Sequence, residues 1–395
     1  MATAPTLKSP DVSQILASAR ALVPELRAMS ADINRARMVP ESVIQRLQDA
    51  GLMGLTRSAL YGGPELDMSL VFQIGQILAE GDGSTAWVYC VTNSHDHLVG
   101  LYPKAVQDTY WASPRPLCAS SYQPQGKVTK VDGGYRLTGQ WGFCSGIDHC
   151  DWVVVGSLIF GEGGPPRLGL FMLERSEYEI VDDWYMMGLS GTGSKTVKVE
   201  DMFVPDERML DNADVMNGKT PGAAIHGNPL YRTSIWLLFG FSILAPTTGI
   251  TRAAYNDTVA AMREKAASKD PIFAARIPAI QQRLAEISVK LDACELLYQS
   301  SLQESEALVM AGKSASDEIR TRNRRNQAFI AFTCREVLDS MMQMAGGRGL
   351  KDEATVQRAL RDVYAISAHP GGNLDSAFAS FGSVALGGPP TEMFC

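Results

Sequence analysis

The sequence has few of the residues that form metal centres, disulfide frameworks and nucleotide-binding loops. It contains only five histidines, and its seven cysteines are an odd number with no CxxC pair. These spacings match neither a zinc site nor the framework of a secreted domain, so we expect no bound metal and reduced cysteines that mostly serve in packing. No GxGxxG motif opens a βαβ unit, and a nicotinamide-binding Rossmann domain is therefore unsupported.

Positive charge is also scarce and scattered. The 36 lysines and arginines are outnumbered by 43 aspartates and glutamates, the formal net charge is −7, and the basic residues form no runs. This balance gives no basis for binding nucleic acid or an anionic membrane surface. The stretch MATAPTLKSPDVSQ lacks the apolar core and cleavage site of a secretory signal, so we expect a cytoplasmic protein.

One apolar stretch is nearly long enough to cross a membrane. Thr233 to Thr251 are nineteen consecutive uncharged residues, close to the length of a membrane-spanning helix. The continuously apolar part is much shorter, and Pro246, Thr247 and Thr248 fall where lipid would lie. We therefore predict a buried core helix.

The pattern of apolar residues divides the chain into three regions. Residues 1–113 show helical spacing, for example from Pro40 to Gly51. After a pair of prolines, short alternating segments separated by turns predict an antiparallel sheet or small barrel over residues 114–216. Long helical stretches return in residues 217–395. This order predicts an α+β multidomain protein rather than an alternating α/β sheet.

Two helices of the third region have recognisable ends. Ser314 and Asp317 are spaced to form a capping box, and Gly346 is placed to stop the helix that follows. The stretch ALRDVYAISAHPGG predicts a helix that runs to His369 and is stopped by Pro370 and two glycines. Because a residue before proline disfavours the α conformation, we expect the His369 side chain to leave the bundle.

The segment GLSGTGSKT, from Gly188 to Thr196, has the composition of a phosphate-binding loop. Its lysine follows a serine, however, and the residues after it alternate like a strand instead of opening a helix. We therefore exclude a nucleotide-triphosphate site.

Four segments carry a resemblance to the acyl-CoA dehydrogenase superfamily. In chain order they are RMVPESVIQRLQDAGL with the following YGG, WGFCSGIDHCDWVVV, MMGLSGTGSKTVKVEDMFVP and QMAGGRGLKDEATVQRALRDV. The resemblance implies an N-terminal helical domain (residues 1–113), a middle β-barrel (114–216) and a C-terminal four-helix bundle (217–395). It also implies a flavin between barrel and bundle and assembly as a homotetramer.

The place of the catalytic base separates the branches of this family. Its dehydrogenases carry a glutamate just after the helix with the RD pair, or in the first bundle helix. Here the first place reads AHPGG, and no Asp or Glu occurs between Val215 and Asn256. Proton abstraction beside a thioester therefore has no evident agent. The histidine, WGFCSG and PLYR instead resemble the flavin monooxygenase branch.

That branch implies the oxygenase component of a two-component flavin-dependent monooxygenase. Such hydroxylases take reduced FMN or FAD from a separate NAD(P)H-dependent flavin reductase, add O2 to form a flavin C4a-hydroperoxide, and hydroxylate a small phenolic or indolic ring. The sequence does not separate FMN from FAD. The alternatives are a flavin dehydrogenase or oxidase of the same fold, and a flavin-binding scaffold without turnover.

Two histidines are the candidate catalytic residues. An imidazole with an ordinary pKa of about 6.5 accepts a phenolic or ring proton near neutrality, and we expect His369 to be this base. The negative end of its helix favours the imidazolium form, and the alternative role is capping of helix carbonyls. His95 matches the substrate-side histidine of the hydroxylases. The alternative for this position is His97, whose side chain would point about 160° away from that of His95 on a helix.

Hydroxyl groups are the candidate contacts to the flavin and its oxygen adduct. Ser145 matches the position that contacts the flavin ring in the hydroxylases, and Ser120 or Ser121 matches a second hydroxyl near the peroxide. A hydroxyl donor there slows the loss of hydrogen peroxide. Cys144 stands where many relatives have serine. Serines in strands are otherwise ordinary surface or turn residues.

One cation and three aromatic residues complete the candidate site. Arg232, in PLYR, offers a fixed positive charge for reduced flavin or a substrate carboxylate, and an interface salt bridge is the alternative. Trp141, Phe143 and Trp236 are expected to wall a dry cavity. Aromatic residues at such spacing are also common in plain core.

Overall fold

The computed structural model describes residues 11–161, 164–268, 271–274 and 276–392. Within these ranges, helices lie between Val12 and Trp111, strands between Cys118 and Asp211, and helices again between Asn212 and Ala385. The predicted order of helices, strands and a helical bundle is confirmed.

Five helices form the first region: α1 Val12–Ala36, α2 Glu41–Asp49, α3 Met68–Ala79, α4 Gly83–Val99 and α5 Lys104–Trp111. Every residue of α4 is buried, because this helix lies between the other two regions. Its first turn is capped by Asp82, whose carboxylate accepts hydrogen bonds from the backbone N–H of Thr85 (2.6 Å) and the hydroxyl of Ser30 (2.7 Å).

Two four-stranded sheets form the middle region. Their strands are β1 Cys118–Ser121, β2 Lys127–Val131, β3 Gly134–Cys144, β4 Trp152–Ile159, β5 Arg167–Glu174, β6 Glu179–Val181, β7 Lys195–Pro205 and β8 Met209–Asp211. The strand orders are β1-β4-β5-β8 and β2-β3-β7-β6. One pair departs from the predicted antiparallel pairing: β1 and β4 are parallel, with Ser120 opposite Val154. The chain leaves the first sheet after β1, builds the β2–β3 hairpin of the second sheet, and returns beside β1.

The third region consists of α6 Asn212–Met216, α7 Trp236–Ala267, α8 Pro271–Ala274, α9 Ile277–Met310, α10 Asp317–Ala345, α11 Thr355–Ala368 and α12 Leu374–Ala385. Helix α10 packs against α7, α9, α11 and α12. Its N-cap is Ser316, which accepts a hydrogen bond from the backbone N–H of Ile319, so the predicted capping box of Ser314 and Asp317 does not form. Gly346 ends the helix with a φ of 62°, as predicted.

The apolar run from Thr233 to Thr251 lies largely in α7. This is the one helix of the described chain that is long and apolar enough to cross a membrane, and 78% of its apolar window is buried inside the protein. Phe241 contacts the rings of Phe72 and Tyr298. The prediction of a buried core helix is confirmed.

Six of the seven cysteines are free and buried, and Cys395 lies outside the described residues. Burial raises the pKa of the Cys144 thiol to about 12, so this thiol is protonated at neutral pH and packs as a small apolar group.

The contact between α3 and α4 leaves no room for a side chain at Gly75. A Cβ there would lie 2.1 Å from Sγ of Cys90. We expect Gly75→Ala to lower the free energy of unfolding by about 1–3 kcal/mol through overpacking. Gly382→Ala in α12 is the matched control, since its Cβ meets nothing within 4 Å, and it should be neutral or stabilising by up to about 1 kcal/mol. Urea denaturation measures both, and equal effects would contradict this packing.

Candidate functional site

Helix α4 carries the two side chains around which the candidate site is built. Trp87 and His95 are both buried, and their separation of eight residues corresponds to about 12 Å along the helix axis. The helix contacts β1, α7, α11 and the 3₁₀ turn Ser190–Thr192. It therefore contacts the first sheet, the bundle and the loop before β7.

His95 is held by both of its ring nitrogens. Nδ1 lies 2.5 Å from the carbonyl oxygen of Cys118, and Nε2 lies 2.9 Å from Oγ of Ser120. Because a carbonyl only accepts, Nδ1 carries the proton and Nε2 accepts the hydroxyl proton of Ser120. Burial lowers the pKa of His95 to about 4, so the ring is neutral at pH 7. Ser120 is left with lone pairs for a further donor.

The Tyr122 ring packs against His95 and connects it to Trp236. The Tyr122 ring lies edge-on to His95 (6.3 Å between ring centroids) and to Trp236 (4.9 Å). Trp236 also lines a cavity of about 160 Å³ at the start of α7 and α10, next to Leu237. Neither His95 nor Ser120 lines this cavity, and the dry cavity expected between Trp141, Phe143 and Trp236 stays a prediction.

Ser145 belongs to a chain of hydrogen bonds that the structure assembles from helix α4 and two loops. Nε1 of Trp87 donates to Oγ of Ser145 (2.9 Å), and the hydroxyls of Ser145 and Ser194 are 2.7 Å apart. The hydroxyl of Ser194 lies 2.6 Å from that of Thr192, which donates to the carbonyl oxygen of Leu189 (2.8 Å). All three hydroxyl groups are buried.

The direction of this chain follows from its last acceptor. Thr192 gives its only hydroxyl proton to the Leu189 carbonyl, so it must accept from Ser194, and Ser194 must accept from Ser145. Ser145 already accepts from Trp87. One lone pair remains on Ser145. This hydrogen-bond chain therefore offers a bound group an acceptor rather than a donor.

His369 ends α11 at the turn that the sequence predicts. Its backbone is extended (φ −63°, ψ 145°), and its Nδ1 accepts the backbone N–H of Gly371 at 2.9 Å. The neutral ring therefore carries its proton on Nε2. The Trp87 ring lies edge-on to His369 at 5.8 Å between centroids. Trp87 thus contacts both Ser145 and His369.

The titration of His369 differs from the prediction. The side chain keeps partial exposure, but burial, followed by the positive charge of Arg324, lowers its pKa to about 4. These effects outweigh the helix end, which favours the imidazolium. With Nδ1 occupied by the Gly371 N–H, His369 is a neutral hydrogen-bond donor at Nε2 near pH 7, and its role as the general base stays a prediction.

Two non-glycine residues adopt left-handed backbone conformations in the loops that carry the hydroxyl chain. Phe143 has a φ of 64° at the bulge between β3 and β7, and Leu189 has a φ of 52°. The Leu189 N–H donates to Oδ1 of Asp362 in α11 at 2.7 Å. Burial raises the pKa of this carboxyl to about 7. Backbone strain of this kind clusters at functional sites.

Several predicted contact residues lie away from these groups. Trp141 and Cys144 point into the core, where Trp141 Nε1 donates to the Gly156 carbonyl oxygen (2.7 Å) and the Cys144 thiol to that of Trp141 (3.3 Å). Phe143 is 54% exposed and packs edge-on against Trp184. In this single chain these three side chains do not meet the Ser145 hydroxyl.

The remaining predicted residues are placed as follows. Ser121 is buried beside Ser120 on β1, and because neighbouring side chains of a strand face opposite sides, only one of them meets His95. Arg232 is exposed, with Nε donating to the Ala223 carbonyl at 3.4 Å. His97 is buried against Tyr231 (5.8 Å between ring centroids), away from the Ser120 hydroxyl.

The residues that the sequence did not single out are Trp87, Thr192, Ser194, Asp362 and Arg324. Thr192 and Ser194 stand in GLSGTGS, and Asp362 stands in the RD pair, both of which the family resemblance includes. Nothing local distinguishes Trp87 or Arg324. Across the described ranges, no group of three or more His, Cys, Asp or Glu side chains is placed to hold a metal ion.

Comparisons with known proteins agree with this architecture. Residues 9–102 match the family model of the acyl-CoA dehydrogenase N-terminal domain, and residues 241–373 match that of the acyl-CoA dehydrogenase C-terminal domain. The oxygenase subunit HsaA of a flavin-dependent monooxygenase from Mycobacterium tuberculosis is 32% identical, over 98% of this chain and 99% of the relative. The crystal structure of HsaA from M. tuberculosis superposes with a TM-score of 0.90, covering 98% of this chain and 100% of that one.

A second relative is also an oxygenase component. The oxygenase component of an FADH2-dependent resorcinol hydroxylase from Rhizobium sp. is 30% identical, over 93% of both chains. These relatives match nearly the whole length of the chain, including both regions that carry the histidines.

The buried histidines give the protein a defined response to acid. Burial lowers the pKa of His97 to about 4, so below about pH 6.5 the unfolded chain takes up a proton that the folded chain refuses. Stability contributed by this group is complete above pH 6.5 and is lost as the pH falls toward 4. Between pH 7 and pH 5, the unfolding free energy of His97→Gln should decrease by about 1–2 kcal/mol less than that of the wild type. Urea denaturation at both pH values measures this, and an unchanged decrease would contradict it.

Proposed function

The chain belongs to the acyl-CoA dehydrogenase family, among the oxygenase components of two-component flavin-dependent monooxygenases, and on that premise we propose how its residues hydroxylate a small aromatic ring. The enzyme is an oxidoreductase that uses reduced flavin and O2, and a separate flavin reductase supplies the reduced flavin. The observation that carries our assignment of roles is the directed hydroxyl chain, which ends in an acceptor on Ser145 beside Trp87 and His369.

The residues around Ser145 fit a reduced flavin. The ring of reduced flavin has an N–H group at N5, where oxidised flavin has a lone pair, and the free lone pair of Ser145 complements the N–H. Bound reduced flavin supplies the two electrons with which O2 is divided between the substrate and water. The strained Phe143 and Leu189 loops hold Ser145 and Thr192 in place for this contact. The flavin is FMN or FAD, and the titration described below uses both.

We assign the removal of the substrate proton to the pair of Ser120 and His95. Oγ of Ser120 accepts the O–H of a phenol or the N–H of an indole, while its own proton is already directed to Nε2 of His95. As oxygen is added to the ring, the proton passes along this pair, which raises the electron density of the ring. The Cys118 carbonyl keeps His95 in the required tautomer. The base is then His95, acting through Ser120, in place of His369.

His369 acts in this proposal as a donor. Its Nε2–H stabilises negative charge that develops on oxygen, which is the task of a preorganised donor in a site that excludes water. The rings of Tyr122 and Trp236 pack on the substrate side, and exclusion of water there favours transfer of oxygen over reaction with water. The two histidines therefore have opposite hydrogen-bonding roles that their backbone partners set.

The domain limits, assembly and location of the enzyme are further proposals. Domains of residues 1–113, 114–216 and 217–395 are supported by the end of α5 at Trp111 and of β8 at Asp211. A homotetramer is supported by exposed apolar side chains, among them Tyr185 (71% exposed) and Met187 (55%). Six unpaired cysteines support a reducing compartment such as the cytoplasm.

The proposed function is tested by supplying reduced FMN or reduced FAD, oxygenated buffer and a panel of phenols and indoles. We expect a hydroxylated product from at least one substrate, and His95→Gln should lower product formation by about 100-fold or more while leaving reduced-flavin binding unchanged. His97→Gln is the matched control on the same helix and should retain activity. Hydrogen peroxide as the sole product with every substrate would contradict the assignment, as would equal losses in both variants.

The hydroxyl chain predicts a preference for reduced over oxidised flavin that does not depend on turnover. Thr192→Val removes the acceptor of Ser194, so the Ser194 proton can turn toward Ser145, and Ser145 can then donate outward. The dissociation constant of oxidised flavin divided by that of reduced flavin should therefore fall by about tenfold. Thr258→Val, which removes a buried hydroxyl bonded to the Ala254 carbonyl in α7, should leave it unchanged. Anaerobic fluorescence titration measures both states, and an unchanged ratio in Thr192→Val would reject a directed chain.

A further inference from the structure

Arg324, in α10, directs all of its hydrogen-bond donors at the protein around the His369 turn. Its NH1 donates to the carbonyl oxygen of Gly371 at 2.6 Å and to Oε1 of Gln327 at 3.3 Å. Its NH2 donates to the carbonyl oxygen of Pro370 and to Oε1 of Glu392, both at 3.1 Å, and its Nε donates to Oε2 of Glu392 at 3.2 Å. Five N–H groups thus have five acceptors, so this guanidinium has no donor left for a ligand.

One of these bonds acts on the peptide that sets the tautomer of His369. The Pro370 carbonyl and the Gly371 N–H belong to the same planar peptide group. Arg324 binds its oxygen, while the N–H on the opposite side donates to Nδ1 of His369. Rotation of this peptide would break both bonds together. The bond to the Gly371 carbonyl holds the next peptide as well.

Glu392 holds Arg324 in the orientation that this contact needs. The side chains of Arg324 and Glu392 are only 12% and 14% exposed, and a two-point pair of this kind fixes the plane of the guanidinium. Oε1 of Glu392 also accepts the hydroxyl of Ser376 at 2.8 Å, in the first turn of α12. The carboxylate therefore connects α10 to α12 directly behind the His369 turn.

We propose that Arg324 is a positioning residue for His369 and that Glu392 holds it in place. Through the Pro370–Gly371 peptide, Arg324 keeps Nδ1 of His369 an acceptor and Nε2 a donor. The inference rests on the proposed function only for the use that the reaction makes of that donor. Without Arg324 the peptide rotates, both tautomers become populated, and oxygen is lost as hydrogen peroxide instead of reaching the ring.

The experiment compares Arg324→Met, Arg324→Lys and Glu392→Ala with Arg322→Met. Arg322 is the matched control because it lies on the same helix and pairs with Glu304 of α9, away from His369. The first readout is the ¹⁵N spectrum of the histidine imidazoles, recorded on the whole protein without flavin or substrate. The protein has only five histidines, so the spectrum contains few signals. The second is the yield of hydroxylated product per reduced flavin oxidised, together with the dissociation constant of reduced flavin.

In the wild type and in Arg322→Met we expect one neutral tautomer of His369, protonated on Nε2. In Arg324→Met the two nitrogens should exchange the proton, and the product yield should fall by about tenfold or more with flavin binding changed less than about twofold. Arg324→Lys, whose ammonium has three donors, should recover part of the yield. Glu392→Ala should lie between the wild type and Arg324→Met in both readouts.

The proposal is overturned if Arg324→Met keeps the tautomer and yield of Arg322→Met, or if Arg324→Lys gives no recovery although it folds. If Arg324→Met does not fold, Glu392→Ala decides the matter by the same two readouts. If the wild type hydroxylates no substrate, the proposed function fails, while the tautomer of His369 in the variants still tests the role of Arg324.

Discussion

The burial of helix α4 is the constraint on which the candidate site depends. Every residue of this helix is inside the protein, where a polar side chain has no bulk water and is stabilised by hydrogen bonds to other protein groups. Trp87 finds a partner in Ser145, and His95 finds two partners in Cys118 and Ser120. The helix thereby connects the flavin side and the substrate side of the proposed site at a spacing of about 12 Å.

The surroundings of the two histidines, His95 on α4 and His369 at the end of α11, separate their proposed roles. Burial keeps both neutral, since it lowers the pKa of each to about 4, so their tautomers and not their charges decide what they do. A backbone carbonyl beside His95 leaves its Nε2 as an acceptor, whereas a backbone N–H beside His369 leaves its Nε2 as a donor. An aromatic hydroxylation needs both functions, one for the ring proton and one for charge on oxygen.

The three-region order could be predicted from the sequence because helical and alternating apolar patterns are local. The parallel pairing of β1 with β4 could not, since it arises from where the chain crosses between sheets. Ser145 and the two histidines became candidates through their place in family motifs. Thr192 and Arg324 were not, because their importance comes from partners distant in sequence, such as the contact of Arg324 with the His369 turn. The pKa of His369 likewise depends on tertiary burial, so the ordinary imidazole value of about 6.5 does not apply to it.

The account is tested most directly by a crystal structure of the enzyme prepared without oxygen, with reduced flavin and a phenolic substrate bound. We expect the flavin N5–H within hydrogen-bonding distance of Oγ of Ser145, and the phenolic oxygen within hydrogen-bonding distance of Oγ of Ser120. A flavin ring bound away from Ser145, or a substrate whose hydroxyl contacts His369 while Ser120 has no ligand, would contradict the account.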